Sequence, residues 1–387
     1  MSGASDAAGA GGHEELLEDL LAGEHRALAR VISKIEDRAP GYRDLVSDLY
    51  AHTGGADVIG ITGSPGAGKS TLVDKLAETY RDRGETVGII AIDPSSPFTG
   101  GAVLGDRIRM ASTVGDMDVF VRSMSARGTL GGLSTATADA VKAMDAFGKD
   151  KVIIETVGAG QNEIDIVRTA DTVAVLVPPG SGDDIQTLKA GILEIADVFV
   201  VNKADRDGAD RTVQELEEMI HLGEGTSTGG TGHHGVDGMA AAETTTDAAD
   251  TGNWSPPIVE TVATTGEGIE AFLEELAAHR GFLESTGTRT ELARKRHAEE
   301  IRTLLRADVN SLLEAELERT GGIDALADAV RTGETDPYSI ADAVLEPLEA
   351  CLAEVDLNLE RSSETEGGGG SERDISNSTL GRDDPSQ

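Results

Sequence analysis

Eight residues, Gly63-Ser64-Pro65-Gly66-Ala67-Gly68-Lys69-Ser70, carry the most legible chemistry of this chain. They read G-x-x-x-x-G-K-S and stand between an apolar run, Val58-Ile59-Gly60-Ile61, and a stretch of helical pattern that starts near Ser70. A phosphate-binding loop requires that strand–loop–helix setting. Its glycines let backbone N–H groups turn inward around phosphate oxygens, where a Cβ would block the approach. The helix start adds the positive end of its dipole. Lys69 offers a point charge to β- and γ-phosphates, the Ser70 hydroxyl suits Mg²⁺, and Thr71 belongs to the same phosphate-facing turn.

A second motif concerns the base. Asn202-Lys203-Ala204-Asp205 follows the apolar run Val198-Phe199-Val200-Val201 and has the N-K-x-D form found in GTP-binding proteins. The Asp205 carboxylate is able to accept from the ring N–H and the exocyclic amine of guanine, whereas adenine lacks that donor pair. Leaving a polar group unpaired discriminates by roughly 10⁴-fold in favourable sites. The Lys203 stem is placed to lie over the base, and Asn202 to tie this loop to the phosphate loop. Further on, Thr261-Val262-Ala263-Thr264-Thr265-Gly266-Glu267-Gly268 follows another strand pattern. It is similar to a guanine-contact loop whose backbone amides, here those of Ala263 and Thr264, touch the base oxygen.

Between the two motifs, Val152-Ile153-Ile154-Glu155-Thr156-Val157-Gly158 is an apolar strand that ends in an acid, with a glycine three residues on. That is the place of a Walker B/D-x-x-G element, with Glu where many small GTPases have Asp. Glu155 is long enough to reach Mg²⁺ through water, and the Gly158 N–H is placed to sense a γ-phosphate. Gln161 is either the residue that orients the attacking water or a polar loop residue with no such role. The strand pattern over 87–92 ends in Asp93, a candidate to act beside the water or the metal. A loop rich in Pro, Ser and Gly leads from it to Asp106 and reads as a switch ordered by γ-phosphate and Mg²⁺. Arg107 and Arg109 either stabilise transition-state charge or form ion pairs.

The elements that must hold these groups follow from periodicity. Residues 1–12 read as a flexible tail. Leu16, Leu17, Leu20, Leu21, Leu28, Val31, Ile32 and Ile35 recur at helical spacing, and a short helix near 42–52 completes an N-terminal helical extension over 13–55. From 56 to 284 strands and helices alternate, which predicts an α/β, doubly wound, mainly parallel sheet with its ligand loops at the strand C-termini. Residues 222–253, rich in Gly, Thr, Ala, Asp and His, read as a disordered insertion. His221, His233 and His234 fall around it at irregular spacing and read as loop residues. Residues 285–357 are helical again, Arg294-Lys295-Arg296 reads as a solvated helix face, and 358–387 read as a disordered acidic tail.

Composition bounds the function. The 387 residues carry a formal net charge of −37, which disfavours nucleic-acid binding. Acid is spread along the whole chain, a pattern that fits a halophile cytoplasm, where charges are screened beyond about 3 Å at molar salt. Aromatic content is 3%, so the core must be aliphatic. A single cysteine, Cys351, excludes an intrachain disulfide framework. No apolar run reaches the ~18 residues of a membrane span and no signal pattern opens the chain, so a cytoplasmic location is expected.

The ordered set GSPGAGKS, DPSSPFTGGAVLGDRIRM, ETVGAGQNE, VPPGSGDDIQTLKAG and NKAD resembles the MeaB/ArgK family of P-loop GTPases over about residues 16–356. The resemblance implies a G domain of the SIMIBI type, the broad class that includes signal-recognition and nickel-insertion GTPases. It implies Mg²⁺-dependent GTP hydrolysis, with Lys69 and Ser70 on phosphate and metal and with Asp93, Asp106 and Glu155 around metal and water. Residues 158–163 would form a second switch and 177–189 a further one, with Lys189 reaching the nucleotide or an acid across an interface. The C-terminal helices would form a homodimerisation arm. The client would be adenosylcobalamin-dependent methylmalonyl-CoA mutase or a related acyl-CoA mutase, helped in cofactor loading and protection. Two other activities stay open: metal delivery of the nickel-insertase kind, against which the lone Cys351 argues, and a kinase linked to lysine/arginine/ornithine transport, against which N-K-x-D argues.

Overall fold

The computed structural model describes the backbone of residues 6–93, 116–125, 132–156, 169–180, 195–226, 254–319 and 321–354. Among the described residues seven strands form one sheet: β1 (Asp57–Gly63), β2 (Val87–Asp93), β3 (Val119–Ser125), β4 (Lys151–Thr156), β5 (Thr172–Val177), β6 (Val198–Asn202) and β7 (Ile258–Thr261). Their order across the sheet is β3-β2-β4-β1-β5-β6-β7, and every pairing is parallel. The doubly wound expectation is met, and "mainly parallel" becomes wholly parallel.

β1, β5 and β6 are buried along their whole length. Such strands read as unbroken apolar runs because both faces carry helices. Val58, Val152, Ile154, Val173 and Val175 belong to one core layer, which also holds residues of α1 (Asp6–Leu21), α2 (His25–Glu36), α3 (Tyr42–Leu49), α5 (Gly132–Ala146) and α6 (Ala209–Thr226). Ile59, Ile61, Ile153, Ala174 and Leu176 belong to the other, with α4 (Lys69–Asp82) and α7 (Ile269–Ser285).

Helix boundaries differ from expectation in three places. α1 begins at Asp6, inside the stretch read as a flexible tail; its small residues hide helical order from a hydrophobicity pattern. The helical spacing that runs from Leu16 to Ile35 is divided between two helices, parted at Gly23 with φ 85°. α6 runs to Thr226, so the first residues of the expected 222–253 insertion continue a helix; the rest, 227–253, lies outside the described residues, as does the 358–387 tail.

α8 (Thr288–Arg319) is followed by α9 (Gly322–Thr332) and α10 (Pro337–Glu354). The chain divides into two compact units, 1–308 and 309–387, so the division falls inside α8 rather than at 285. In the first unit, the start of α8 is held by polar contacts. Arg296 donates to Asp171 Oδ1 (2.7 Å), so this member of the basic run 294–296 is turned inward. Glu300 accepts from Tyr50 Oη (2.7 Å) and from Lys142 Nζ. Arg43 donates through Nη1 to Asp308 (2.7 Å). Burial alone would lower the Lys142 pKa, yet Asp139 and Glu300 hold it above its ordinary value. In the second unit, Leu312, Ile323, Tyr338 and Leu345 are exposed.

Candidate nucleotide site

β1 delivers the chain to Gly63, where φ is 136°. A Cβ at that position would stand 2.1 Å from the Leu176 carbonyl oxygen of β5, so the strand can leave the sheet there only as glycine. Gly66 (φ 78°) and Gly68 (φ 95°) continue in left-handed backbone, and Gly68 is the N-cap of α4. The loop folds around the Lys69 ammonium, which donates to the carbonyls of Gly63 (2.7 Å) and Ser64 (3.0 Å) and is 6% exposed. Pro65, Gly66 and Thr71 are exposed, while Ser64 and Ala67 are buried.

Ser70 and Glu155 meet. The Ser70 hydroxyl donates to Glu155 Oε1 at 2.5 Å, bringing α4 and β4 together at the C-terminal edge of the sheet. Parallel register explains the encounter: Glu155 lies beside Ile61 of β1 on one flank and Ala91 of β2 on the other. Asp93 is the last residue of β2, two places beyond Ala91. Ser70 and Glu155 present two hard oxygens, the kind of donor Mg²⁺ takes, and Mg²⁺ commonly keeps waters and phosphate oxygens for its other positions. These residues therefore fit a Mg²⁺ ion, which would replace the hydrogen bond between them. Among the described residues no three His, Cys, Asp or Glu side chains gather into a metal-binding group.

The N-K-x-D loop is bound directly onto the phosphate loop. Asn202, 1% exposed, donates from Nδ2 to the Ala67 carbonyl (2.8 Å), and its Oδ1 accepts from Thr261 Oγ1 (3.1 Å) and the Ala263 amide (3.2 Å). A Cβ on Gly68 would come within 2.5 Å of Asn202 Nδ2, so this close approach also demands glycine. Lys203 adopts left-handed backbone (φ 65°) and donates from Nζ to the Gly66 carbonyl (2.6 Å). Asp205 is exposed beyond it. Thr264 is exposed in the loop after β7, which closes through Val262 N–H to the Glu267 carbonyl (2.9 Å). The Ala263 amide, expected to face a base oxygen, is engaged by Asn202.

The structure thus gathers Lys69, Ser70, Glu155, Asn202, Lys203, Asp205 and the loop at Ala263 and Thr264 at one sheet edge. Asp106, Arg107, Arg109, Gly158, Gln161 and 181–189 lie outside the described residues, as does the Asp93 side chain. Three participants were not anticipated. Thr62 and Thr156, fully buried, share a hydrogen bond (2.8 Å), and Thr261 holds Asn202. Their signal is a hydroxyl residue at the end of an otherwise apolar strand pattern.

The family profile described as Methylmalonyl Co-A mutase-associated GTPase MeaB matches residues 28–318. The chain is 46% identical over 335 residues to a candidate GTPase of Pyrococcus abyssi, spanning 87% of this chain and 96% of that one. It is 34% identical over 208 residues to the mouse protein named Methylmalonic aciduria type A homolog, mitochondrial, half of each chain. A crystal structure of a LAO/AO transport system kinase superposes with a TM-score of 0.57 at 23% identity, over 87% of this chain and 97% of that one, a likeness of fold. With a phosphate loop, an acid opposite its serine and an N-K-x-D loop hydrogen-bonded to it, the chain belongs to the MeaB family of P-loop GTPases.

Proposed function

We propose that this protein binds and hydrolyses GTP, and that it serves an adenosylcobalamin-dependent methylmalonyl-CoA mutase, or a related acyl-CoA mutase, as a chaperone of cofactor loading. The observation that carries the GTP reading is the double hydrogen bond of Asn202 and Lys203 onto the phosphate loop, at 2.8 and 2.6 Å. It spaces a base-reading carboxylate, Asp205, from a phosphate cradle, so that one nucleotide spans both. The mutase reading is supported by the family description and by the name of the mouse relative.

The residues divide the work of phosphoryl transfer to water. Backbone amides of residues 63–70 orient the phosphates, and the Lys69 ammonium, now on two loop carbonyls, exchanges them for phosphate oxygens as charge develops there. Mg²⁺, held by Ser70 and by Glu155 directly or through water, would add positive charge at the β- and γ-oxygens. Asp93, Asp106, Gly158 and Gln161 are the proposed residues around the attacking water and the γ-phosphate. Homodimerisation through the C-terminal helices and life in high salt belong to the same reading.

The test is GTP turnover in molar KCl with Mg²⁺, with and without the host's methylmalonyl-CoA mutase and with ATP as control. Mutase-stimulated turnover of GTP alone is expected. Turnover indifferent to the mutase overturns the client, and equal use of ATP overturns the guanine assignment.

A further inference from the structure

We propose that Thr62 and Thr156 are a positioning pair for the phosphate site: their buried hydroxyl–hydroxyl bond sets Glu155 at the height where it meets Ser70. The inference rests on the Mg²⁺–GTP reading above and adds two residues to it, neither of which touches nucleotide.

Thr156 Oγ1 donates to Thr62 Oγ1 at 2.8 Å, and both residues are 0% exposed. Each stands next to a residue of the site. Thr62 precedes Gly63, where the phosphate loop begins, and Thr156 follows Glu155. Side chains alternate along a strand. Thr62 therefore shares its face with Val58 and Thr156 with Val152 and Ile154, in the core layer that includes α5. Ile61 lies in the opposite layer, with α4, the helix that presents Ser70. The pair thus works from behind the sheet.

The loop start is held differently on its two flanks. Toward β5, backbone register continues to Gly63↔Leu176. Toward β4, it runs to Ile61↔Glu155, and the hydroxyl bond bridges the next residues on. Register with Ile61 and Ala91 sets the Glu155 backbone, and Ile92 pairs with Thr156 on the β2 side; toward β1 the hydroxyl bond is the tie that carries this alignment on to the start of the loop. Stability of the fold does not require it. A buried hydroxyl is unfavourable unless bonded, and replacing both partners of a buried bond by apolar groups of the same shape is close to neutral. Two valines would fill the same volume and suit the strands better. Hydroxyls here are explained by where they hold Glu155.

The experiment compares the full chain with T62V/T156V and with T156S, in molar KCl. Three quantities are read: thermal melting, the Mg²⁺ concentration at half-maximal binding of a fluorescent non-hydrolysable GTP analogue, and kcat and KM for GTP. The double valine variant is expected to melt with the parent and keep KM. It should need about tenfold more Mg²⁺ and turn over about tenfold more slowly, a sub-ångström share of the roughly 10²-fold that a 1 Å misplacement costs. T156S, which keeps the hydroxyl, should behave as the parent. Parental Mg²⁺ dependence and kcat in the double variant overturn the proposal, and so does a double variant that fails to fold, which would make the pair structural. A parent chain that neither binds the analogue nor hydrolyses GTP overturns the underlying reading, and the proposal with it, before any variant is considered.

Discussion

Asp205 is exposed, so the contribution proposed for it is one of chemistry rather than of packing. Asp205→Ala should leave the melting temperature unchanged while the preference for GTP over ATP falls by up to about 10⁴-fold, because the paired acceptor for guanine is gone. Competition binding of the two nucleotides measures this, and an unchanged preference would remove the guanine assignment. Gly63 is the opposite case. A methyl group there meets the Leu176 carbonyl at 2.1 Å on a backbone of φ 136°. Gly63→Ala is expected to lose at least about 1–3 kcal/mol of stability through backbone strain, together with nucleotide binding. Urea denaturation reads the first effect, and a variant as stable as the parent would contradict the geometry. Both residues were identifiable from spacing alone. Asn202 was identifiable as a tie to the phosphate loop, but its bonds to Thr261 and Ala263 were not, since these partners come from β7 and the loop after it, some sixty residues away, |i−j| 59 and 61.

At the scale of elements, the far end of the sheet holds a polar cluster with its own pH dependence. Asp197, just before β6, accepts from the Val173 amide of β5 (2.8 Å), and its carbonyl accepts from Trp254 Nε1 (2.8 Å). His279 of α7 places Nε2 3.4 Å from the Asp197 carboxylate and Nδ1 2.8 Å from Thr172 Oγ1. Burial pushes the Asp197 carboxyl up to about 7, against the Val173 hydrogen bond and Arg296, which favour its charged form. An unfolded aspartate titrates near ~3.9. Between that value and about 7 the folded chain holds a proton that the unfolded chain has lost, so this group's contribution to stability declines as pH rises through that window. The slope approaches about 1.4 kcal/mol per pH unit within the window. Asp197→Asn should flatten the decline between pH 5 and 7 in urea titrations; parallel profiles for parent and variant would show that another group carries it. Strand and helix identities at this level followed from hydrophobic period. The contacts of Asp197, His279 and Trp254 did not, because no local pattern reports which polar residues parallel strands and a returning helix bring together.

For the whole molecule, charge sets the conditions. A net charge of −37 repels itself in dilute buffer, and salt shortens the reach of that repulsion from roughly 10 Å at 0.1 M to 3 Å at 1 M. The melting temperature should therefore rise by several degrees between 0.1 M and 2 M KCl, and nucleotide affinity should rise with it. Calorimetry across that range checks this, and a flat or falling melting temperature would reject the high-salt reading. Among the described residues no helix is long and apolar enough to cross a membrane.

Sequence alone determined whatever is local and periodic: the phosphate loop between its strand and helix, the N-K-x-D loop at a strand end, the run of buried parallel strands and the acidic surface. Steric demands on glycine and the hydrophobic period both act over a few residues, so both are written in the order of the chain. Tertiary structure decided what depends on register and on distant partners. It set Glu155 against Ser70, closed Asn202 onto Ala67 and Thr261, joined Thr62 to Thr156, and turned Arg296 inward to Asp171. It also placed the division between compact units within α8, where the helical pattern continues unbroken. Those outcomes depend on strand order, β3-β2-β4-β1-β5-β6-β7, which brings together segments more than a hundred residues apart, as in Ile59↔Thr172, and has no signature in any one of them.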